Sequence, residues 1–147
     1  MTTHILVINH SPDILDLFEA VLEPEGYMVT TQLFTQRSVE DVMVVQPDVL
    51  ICDYPAICEN EAWTFVQLLK DTTATTTIPL LVSTTSLTLV RDRQAWLTAH
   101  DIAVLPKPFA IDDLLTVLHR LAATAAPPLP ACVHHAADGC PPQPSTC

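Results

Sequence analysis

Apolar positions along this chain follow two periods that alternate from one end of the sequence to the other. His4 to Ile8 is a short, mostly apolar run rich in β-branched residues and ending at Asn9, the pattern of a strand buried on both faces. Ser11-Pro12 then supplies an N-cap and a proline suited to the first helical position. Ile14, Leu15, Phe18, Val21 and Leu22 follow at helical spacing, and Pro24 with Gly26 stops that helix. The pattern predicts a second strand from Tyr27 to Gln32 and a short helix around Val39, Asp41, Val42 and Met43. Pro47-Asp48 opens a third strand, Val49 to Cys52, which ends at Asp53. Beyond it, helices over Trp63–Leu69, Leu87–Leu97 and Ile111–Leu121 alternate with strands over Leu80–Ser83 and Ile102–Leu105. The last helix is expected to turn Leu114, Leu115, Leu118 and Leu121 inward.

Strands separated by helices, with no hairpin signal between any two, predict an α/β fold with a five-stranded parallel sheet covered on both faces. Right-handed crossovers make it doubly wound. In such sheets ligands bind beyond the carboxyl ends of the strands. At those ends the sequence places Asn9 and His10 after the first strand, Asp53 after the third, Thr84 after the fourth and Lys107 after the fifth. These polar residues lie far apart in sequence, and the topology would bring them together.

Composition narrows the chemistry. A chain of 147 residues with 49% apolar residues and a mean hydropathy of +0.33 is enough for one well-packed domain without disulfides or a structural metal. Six basic against 17 acidic residues, net −11, argue against binding to phosphate backbones or anionic lipid. The only glycines are Gly26 and Gly139, so neither a Walker loop nor a dinucleotide fingerprint can be built. The N-terminus shows no signal-peptide pattern, no run is long enough to span a membrane, and the odd count of five cysteines is no secreted disulfide framework. The expected compartment is the cytoplasm. Residues 1–122 form the predicted domain. Residues 123–147 hold six of the 13 prolines and no lysine, arginine or aromatic residue, and read as a loosely ordered Pro/Cys-rich tail. Cys132, His134, His135, Cys140 and Cys147 offer zinc donors there, but at a spacing that matches no zinc module.

Four segments carry a resemblance to a known family. They are Ile5-Leu6-Val7-Ile8 followed by Ser11-Pro12-Asp13, Pro47-Asp48-Val49-Leu50-Ile51-Cys52-Asp53, Pro79-Leu80-Leu81-Val82-Ser83-Thr84, and Leu105-Pro106-Lys107-Pro108-Phe109. In this order and at these strand ends, over roughly residues 4–122, the chain resembles a response-regulator receiver domain, the phosphate-accepting module of two-component signalling. The resemblance implies the flavodoxin-like strand order 2-1-3-4-5. It implies that Asp53 is the phosphoacceptor nucleophile, that the Thr84 hydroxyl bonds a phosphoryl oxygen, and that the Lys107 ammonium pairs with the new charge. It also implies a cis Lys107–Pro108 bond and a Mg²⁺ ion held by Asp53 with two acidic residues after the first strand.

The sequence departs from that pattern where the metal belongs. Asn9 and His10 stand in place of the acidic pair, so the resemblance makes this an atypical receiver with a weak or lost Mg site at Asp53, His10 and Asn9. Each carboxylate missing at about 4 Å from the ion forfeits on the order of 4 kcal/mol of attraction at an effective dielectric near 20. A zinc held by His10 and Asp53 is a further possibility, although a lone histidine beside one carboxylate is more often a polar rim residue. Three other departures concern the relay to the surface. Val104 replaces the usual aromatic three residues before Lys107, the loop after Asp53 lacks the family's spaced proline and glycine, and His100 stands where a helix-terminal glycine is usual. His100 is therefore expected at positive φ.

The expected function is a stand-alone receiver domain in a phosphorelay, with Asp53 as acceptor and weakened Mg-dependent chemistry. It would not be an enzyme beyond self-directed phosphotransfer and dephosphorylation at Asp53. One alternative is a phosphorylation-independent pseudo-receiver acting through protein contacts. The other is a small metal- or cofactor-binding enzyme on the same fold, which lacks a visible nucleophile–base pair. Expected partners are a histidine kinase or phosphotransfer protein and a downstream protein. The latter would meet the face of the fourth helix, fifth strand and fifth helix, where Leu89, Arg93 and Trp96 are expected and where a homodimer is possible.

Overall fold

The structure, a computed structural model, describes residues 2–55 and 59–125, and within these not the side chains of residues 87, 89, 90, 124 and 125. The tail with its cysteine and histidine donors, part of the loop after Asp53, and the side chain of Leu89 therefore lie outside the described residues.

Five strands form one sheet in the order β2-β1-β3-β4-β5: β1 (His4–Asn9), β2 (Met28–Leu33), β3 (Val49–Tyr54), β4 (Leu80–Thr84) and β5 (Ala103–Pro106). Every neighbouring pair is parallel. The helices are α1 (Pro12–Leu22), α2 (Val39–Val45), α3 (Glu59–Asp71), α4 (Leu87–Ala99) and α5 (Ile111–Ala125). The doubly wound α/β fold is as the sequence predicts, and the strand order is the flavodoxin-like one that the resemblance implies. α5 runs to Ala125, past the boundary set at residue 122. No helix among the described residues is long and apolar enough to cross a membrane.

Strand alternation divides the interior into two layers. Leu6, Ile8, Leu50, Cys52, Tyr54, Leu80 and Val82 face a core completed by Val42, Phe65, Leu69 and Leu97 from α2, α3 and α4. Ile5, Val7, Val49, Ile51, Leu81 and Leu105 face the other core, with Leu15, Phe18, Leu22, Leu114 and Leu118 from α1 and α5. β1 and β3 lie inside the sheet and are covered on both sides, which is why they read as unbroken apolar runs.

Local signals fix the helix ends. The Ser11 hydroxyl accepts the Ile14 N–H at 3.4 Å, with Pro12 at the first turn of α1. Gly26 adopts φ +95° where the chain reverses into β2. Ile14 departs from the expected inward stripe: Leu15, Phe18 and Leu22 are buried, while Ile14 is exposed. His100 does not take positive φ. Asp101 does, at 55°. The reason is the bonding of the turn: Ile102 N–H bonds Leu97 O at 2.9 Å and Asp101 N–H bonds Thr98 O at 3.1 Å, which makes Asp101 the left-handed residue of a Schellman cap. Asp tolerates that conformation better than most residues. The His100 ring instead reaches back, with Nδ1 at 2.9 Å from Trp96 O.

Candidate functional site

The apolar run of β1 delivers Asn9 to the sheet's carboxyl edge, buried at 3% exposure. Its Oδ1 accepts the Ser11 N–H at 2.9 Å, an Asx turn that swings the chain from strand into α1. His10, between them, projects outward and is more than half exposed.

Asp53 sits on β3, one residue before the strand ends, and its side chain is fully buried. A carboxylate there requires partners, and it has two. Lys107 Nζ donates to Oδ1 at 2.6 Å, and the His10 ring Nδ1 pairs with Oδ2. Lys107 is aimed by its own backbone: its N–H bonds Thr84 O at 2.8 Å, and the Lys107–Pro108 peptide that follows is cis. Asp53, Lys107 and His10 thus form one cluster, and both carboxylate oxygens are engaged.

Thr84 is not part of that cluster in this structure. Asp53 is in register with Ser83, and Thr84 with Tyr54, so Thr84 belongs to the opposite sheet face. It is 1% exposed, and its hydroxyl donates to Tyr54 O at 3.1 Å while accepting the Ser86 N–H at 2.8 Å. Ser83 is the hydroxyl on Asp53's side. It is 3% exposed, and its Oγ has no hydrogen-bond partner among the described residues. The motif reading passed over Ser83; counting by twos along paired parallel strands from Asp53 would have found it.

Electrostatics in the neighbouring layer follow from burial. The Cys52 thiol is pushed up to about 12, first by burial and then by the charge of Asp53, with Arg37 opposing. Tyr54 is likewise pushed up to about 12 by burial, then by Glu59, against Arg93. Both stay protonated at neutral pH, so neither is a nucleophile poised beside Asp53.

The receiver resemblance implies a Mg²⁺ ion beside Asp53. Mg²⁺ takes hard oxygen ligands in octahedral array. The residues at the position offer one carboxylate with both oxygens engaged, an amide oxygen held by Ser11, and an imidazole nitrogen. That set does not fit Mg²⁺ well. Among the described residues no group of three or more histidines, cysteines or acidic residues gathers into a metal-binding cluster.

Tryptophans on amphipathic helices are more often packing than recognition, and Trp96 is packed although its helix belongs to the expected partner face. Its ring meets Trp63 of α3 edge to face at 4.8 Å and stacks on His100 at 3.9 Å, and Arg93 lies over Trp63 at 4.1 Å. Trp96 and Trp63 also pack against the α2–α4 core. Trp96 is therefore a packing residue of the α3–α4 seam.

No protein-family model matches the chain, and no curated protein matches it. Solved structures do. The chemotaxis response regulator CheY4 of Vibrio cholerae is 22% identical with a TM-score of 0.67, over 82% of this chain and 99% of that one. A putative response regulator from Chloroflexus aurantiacus is 24% identical with a TM-score of 0.65, over 84% and 99%. The signal receiver domain of a signal transduction histidine kinase from Syntrophus aciditrophicus is 21% identical with a TM-score of 0.69, over 84% and 92%. The structural neighbours are response-regulator receiver domains, and the fold of this chain is theirs.

Proposed function

We propose that this chain is the receiver domain of a response regulator in two-component phosphorelay signalling, with Asp53 as phosphoacceptor and with Mg²⁺-dependent chemistry weakened by Asn9 and His10. The observation that carries the reading is the Asp53 carboxylate on the central strand, paired at 2.6 Å with Lys107 from the edge of the sheet. In the phosphoryl step one Asp53 oxygen attacks phosphorus, the bond to the donor's leaving atom breaks, and that atom departs with the electron pair. Lys107 remains beside the acyl phosphate as a point charge. Two local movements must precede this. His10, itself more than half exposed, has to release Oδ2. Thr84 reaches a phosphoryl oxygen only after its hydroxyl leaves Tyr54 O. Both slow the reaction relative to a site with an open carboxylate and a bound cation.

The phosphoryl donor would be a histidine kinase or phosphotransfer protein. A downstream partner, or a second copy, would meet the face of α4, β5 and α5, where β5 is the outer strand of the sheet. A phosphorylation-independent pseudo-receiver is the second reading, and the observation favouring it is the double capping of a carboxylate with no solvent exposure. The two readings separate on incubating the protein with a small acyl-phosphate donor, with and without Mg²⁺, and measuring intact mass. A single phosphoryl adduct, absent from Asp53→Asn, supports the phosphorelay reading. No adduct under any condition, with the fold intact, leaves the pseudo-receiver.

A further inference from the structure

Where the resemblance implies a metal ligand, this site carries an imidazole, and its two ring nitrogens meet different surroundings. The bond from the Ser11 N–H to Asn9 Oδ1 spans His10 and fixes the backbone on which the ring is mounted. On the inner side, Nδ1 meets Oδ2 of an Asp53 carboxylate with no solvent exposure, while the His10 side chain is itself more than half exposed. An ionised carboxylate only accepts hydrogen bonds, so Nδ1 is the nitrogen that carries the proton. The neutral ring then keeps its lone pair on Nε2, across the ring from Asp53 and without a hydrogen-bond partner among the described residues.

The result is a nucleophile oriented by a carboxylate, with the reactive atom outermost. Both oxygens of Asp53 are engaged, one by His10 and the other by Lys107. An electrophile arriving from solvent therefore meets Nε2 before it can meet Asp53.

We propose that His10 Nε2 is a phosphoryl acceptor, taking the group from a phosphoramidate-class donor while the Asp53 carboxylate holds the ring. The inference rests on the reading of this site as one served by phosphoryl donors, and it does not require Asp53 to accept. Nε2 forms a bond to phosphorus, the donor's P–N bond breaks, and the electron pair leaves with the donor nitrogen, as ammonia when the donor is phosphoramidate itself. The proton stays on Nδ1. Positive charge develops on the ring, and the buried carboxylate of Asp53 already faces it. One P–N bond replaces another, and neither of the movements that phosphorylation of Asp53 demands is needed.

Phosphoramidate on the ¹⁵N-labelled full chain tests the proposal, with sites mapped at alkaline pH, where phosphohistidine survives and aspartyl phosphate does not. His119, exposed on α5 and without a carboxylate partner among the described residues, is the internal control. His10 should be modified about tenfold faster than His119, the worth of one hydrogen bond to a charged group. Ring-nitrogen correlations should place the phosphorus on Nε2. Asp53→Asn should bring His10 down to the rate of His119, and if that variant folds poorly the rate ratio and the nitrogen assignment in the original protein decide. Modification of His10 no faster than His119, or at Nδ1, overturns the proposal, as does an unchanged rate in folded Asp53→Asn. That failure, beside an alkali-labile adduct from an acyl-phosphate donor, leaves the Asp53 reading standing. Fast modification at His10 with no alkali-labile adduct from any donor supports the proposal and overturns Asp53 as acceptor.

Discussion

Replacing Asn9 and His10 together by aspartate converts the pocket into the form that a Mg²⁺-dependent receiver requires. The present site sets Asp53 against Lys107, with His10 on the second oxygen. The double change removes the His10 contact, a hydrogen bond to a carboxylate worth about 1.5–3 kcal/mol and at the low end here because the imidazole is more than half exposed. It also adds two like charges. At about 4 Å and an effective dielectric near 20 each repels Asp53 by at most roughly 4 kcal/mol. Solvent screens the outer one strongly, while the one at position 9, where Asn9 is 3% exposed, keeps more of its effect. With Lys107 offsetting part, the metal-free double variant should lose about 3 kcal/mol, roughly 6–12 °C in melting temperature for a domain of this size. Three carboxylates, one backbone carbonyl and waters satisfy an octahedral ion. Mg²⁺ at a hundred times its Kd then returns about 2.7 kcal/mol, nearly the whole loss. Thermal melts with and without Mg²⁺, run beside the acyl-phosphate assay, read both halves of the argument. The expected pattern is an original protein whose melting ignores Mg²⁺, and a variant that is weaker without the ion, rescued by it and faster to phosphorylate. If the original protein already gains stability from Mg²⁺ and forms its adduct as fast as the variant, Asn9 and His10 are no impediment and the weakened-metal reasoning is wrong.

Two further expectations concern the fold around the site. Trp96→Ala should cost about 2 kcal/mol in chemical denaturation, around half the cost of truncating a fully buried tryptophan, because the ring is partly buried, stacked on His100 and edge to face with Trp63; unchanged stability would return Trp96 to the surface. Lys70 is 8% exposed, donates to Thr76 O and Ile78 O, and has its pKa lowered from 10.5 by burial, with Asp101 opposing. Between the lowered value and 10.5 the unfolded chain binds more protons than the folded one, so this lysine's contribution to stability rises with pH. The stability of the protein relative to Lys70→Met should accordingly increase from neutral pH toward 10.5, and a flat or falling difference refutes the assignment.

Much of this architecture was legible because its signals are local. The caps at Ser11-Pro12, the stop at Gly26 and the unbroken apolar runs of β1 and β3 each state their own element, and parallel order follows once no hairpin joins two strands. Where the reading slipped, the deciding interaction was not local. Ile14 has the right spacing for the core stripe of α1, yet its flank of the helix is exposed, and no hydrophobic period records which flank meets a neighbour. His100 stands in the expected place for a left-handed cap, but the left-handed residue of a Schellman turn is the one before the N–H that closes the longer loop to Leu97 O, and that N–H belongs to Ile102. For Trp96 packing is the commoner role on an amphipathic helix, but the apolar pattern of α4 is weak, and its partners in space, Trp63 and His100, decide the matter.

The site shows the same limit more sharply. Asp53, Lys107 and His10 were named because residues at strand ends converge whatever their neighbours do. Thr84 was named with them, although one residue along a strand is one sheet face away. From Asp53, the parallel register reaches Ser83, so the hydroxyl sharing the carboxylate's face is the one the motif does not mark. The consequence is physical. A hydroxyl already bonded to Tyr54 O and the Ser86 N–H must give up contacts to serve a phosphoryl group, whereas Ser83 Oγ is buried with no partner among the described residues. A motif locates residues along the chain, but the pleat decides which of two adjacent hydroxyls shares the face of Asp53, and that one is Ser83.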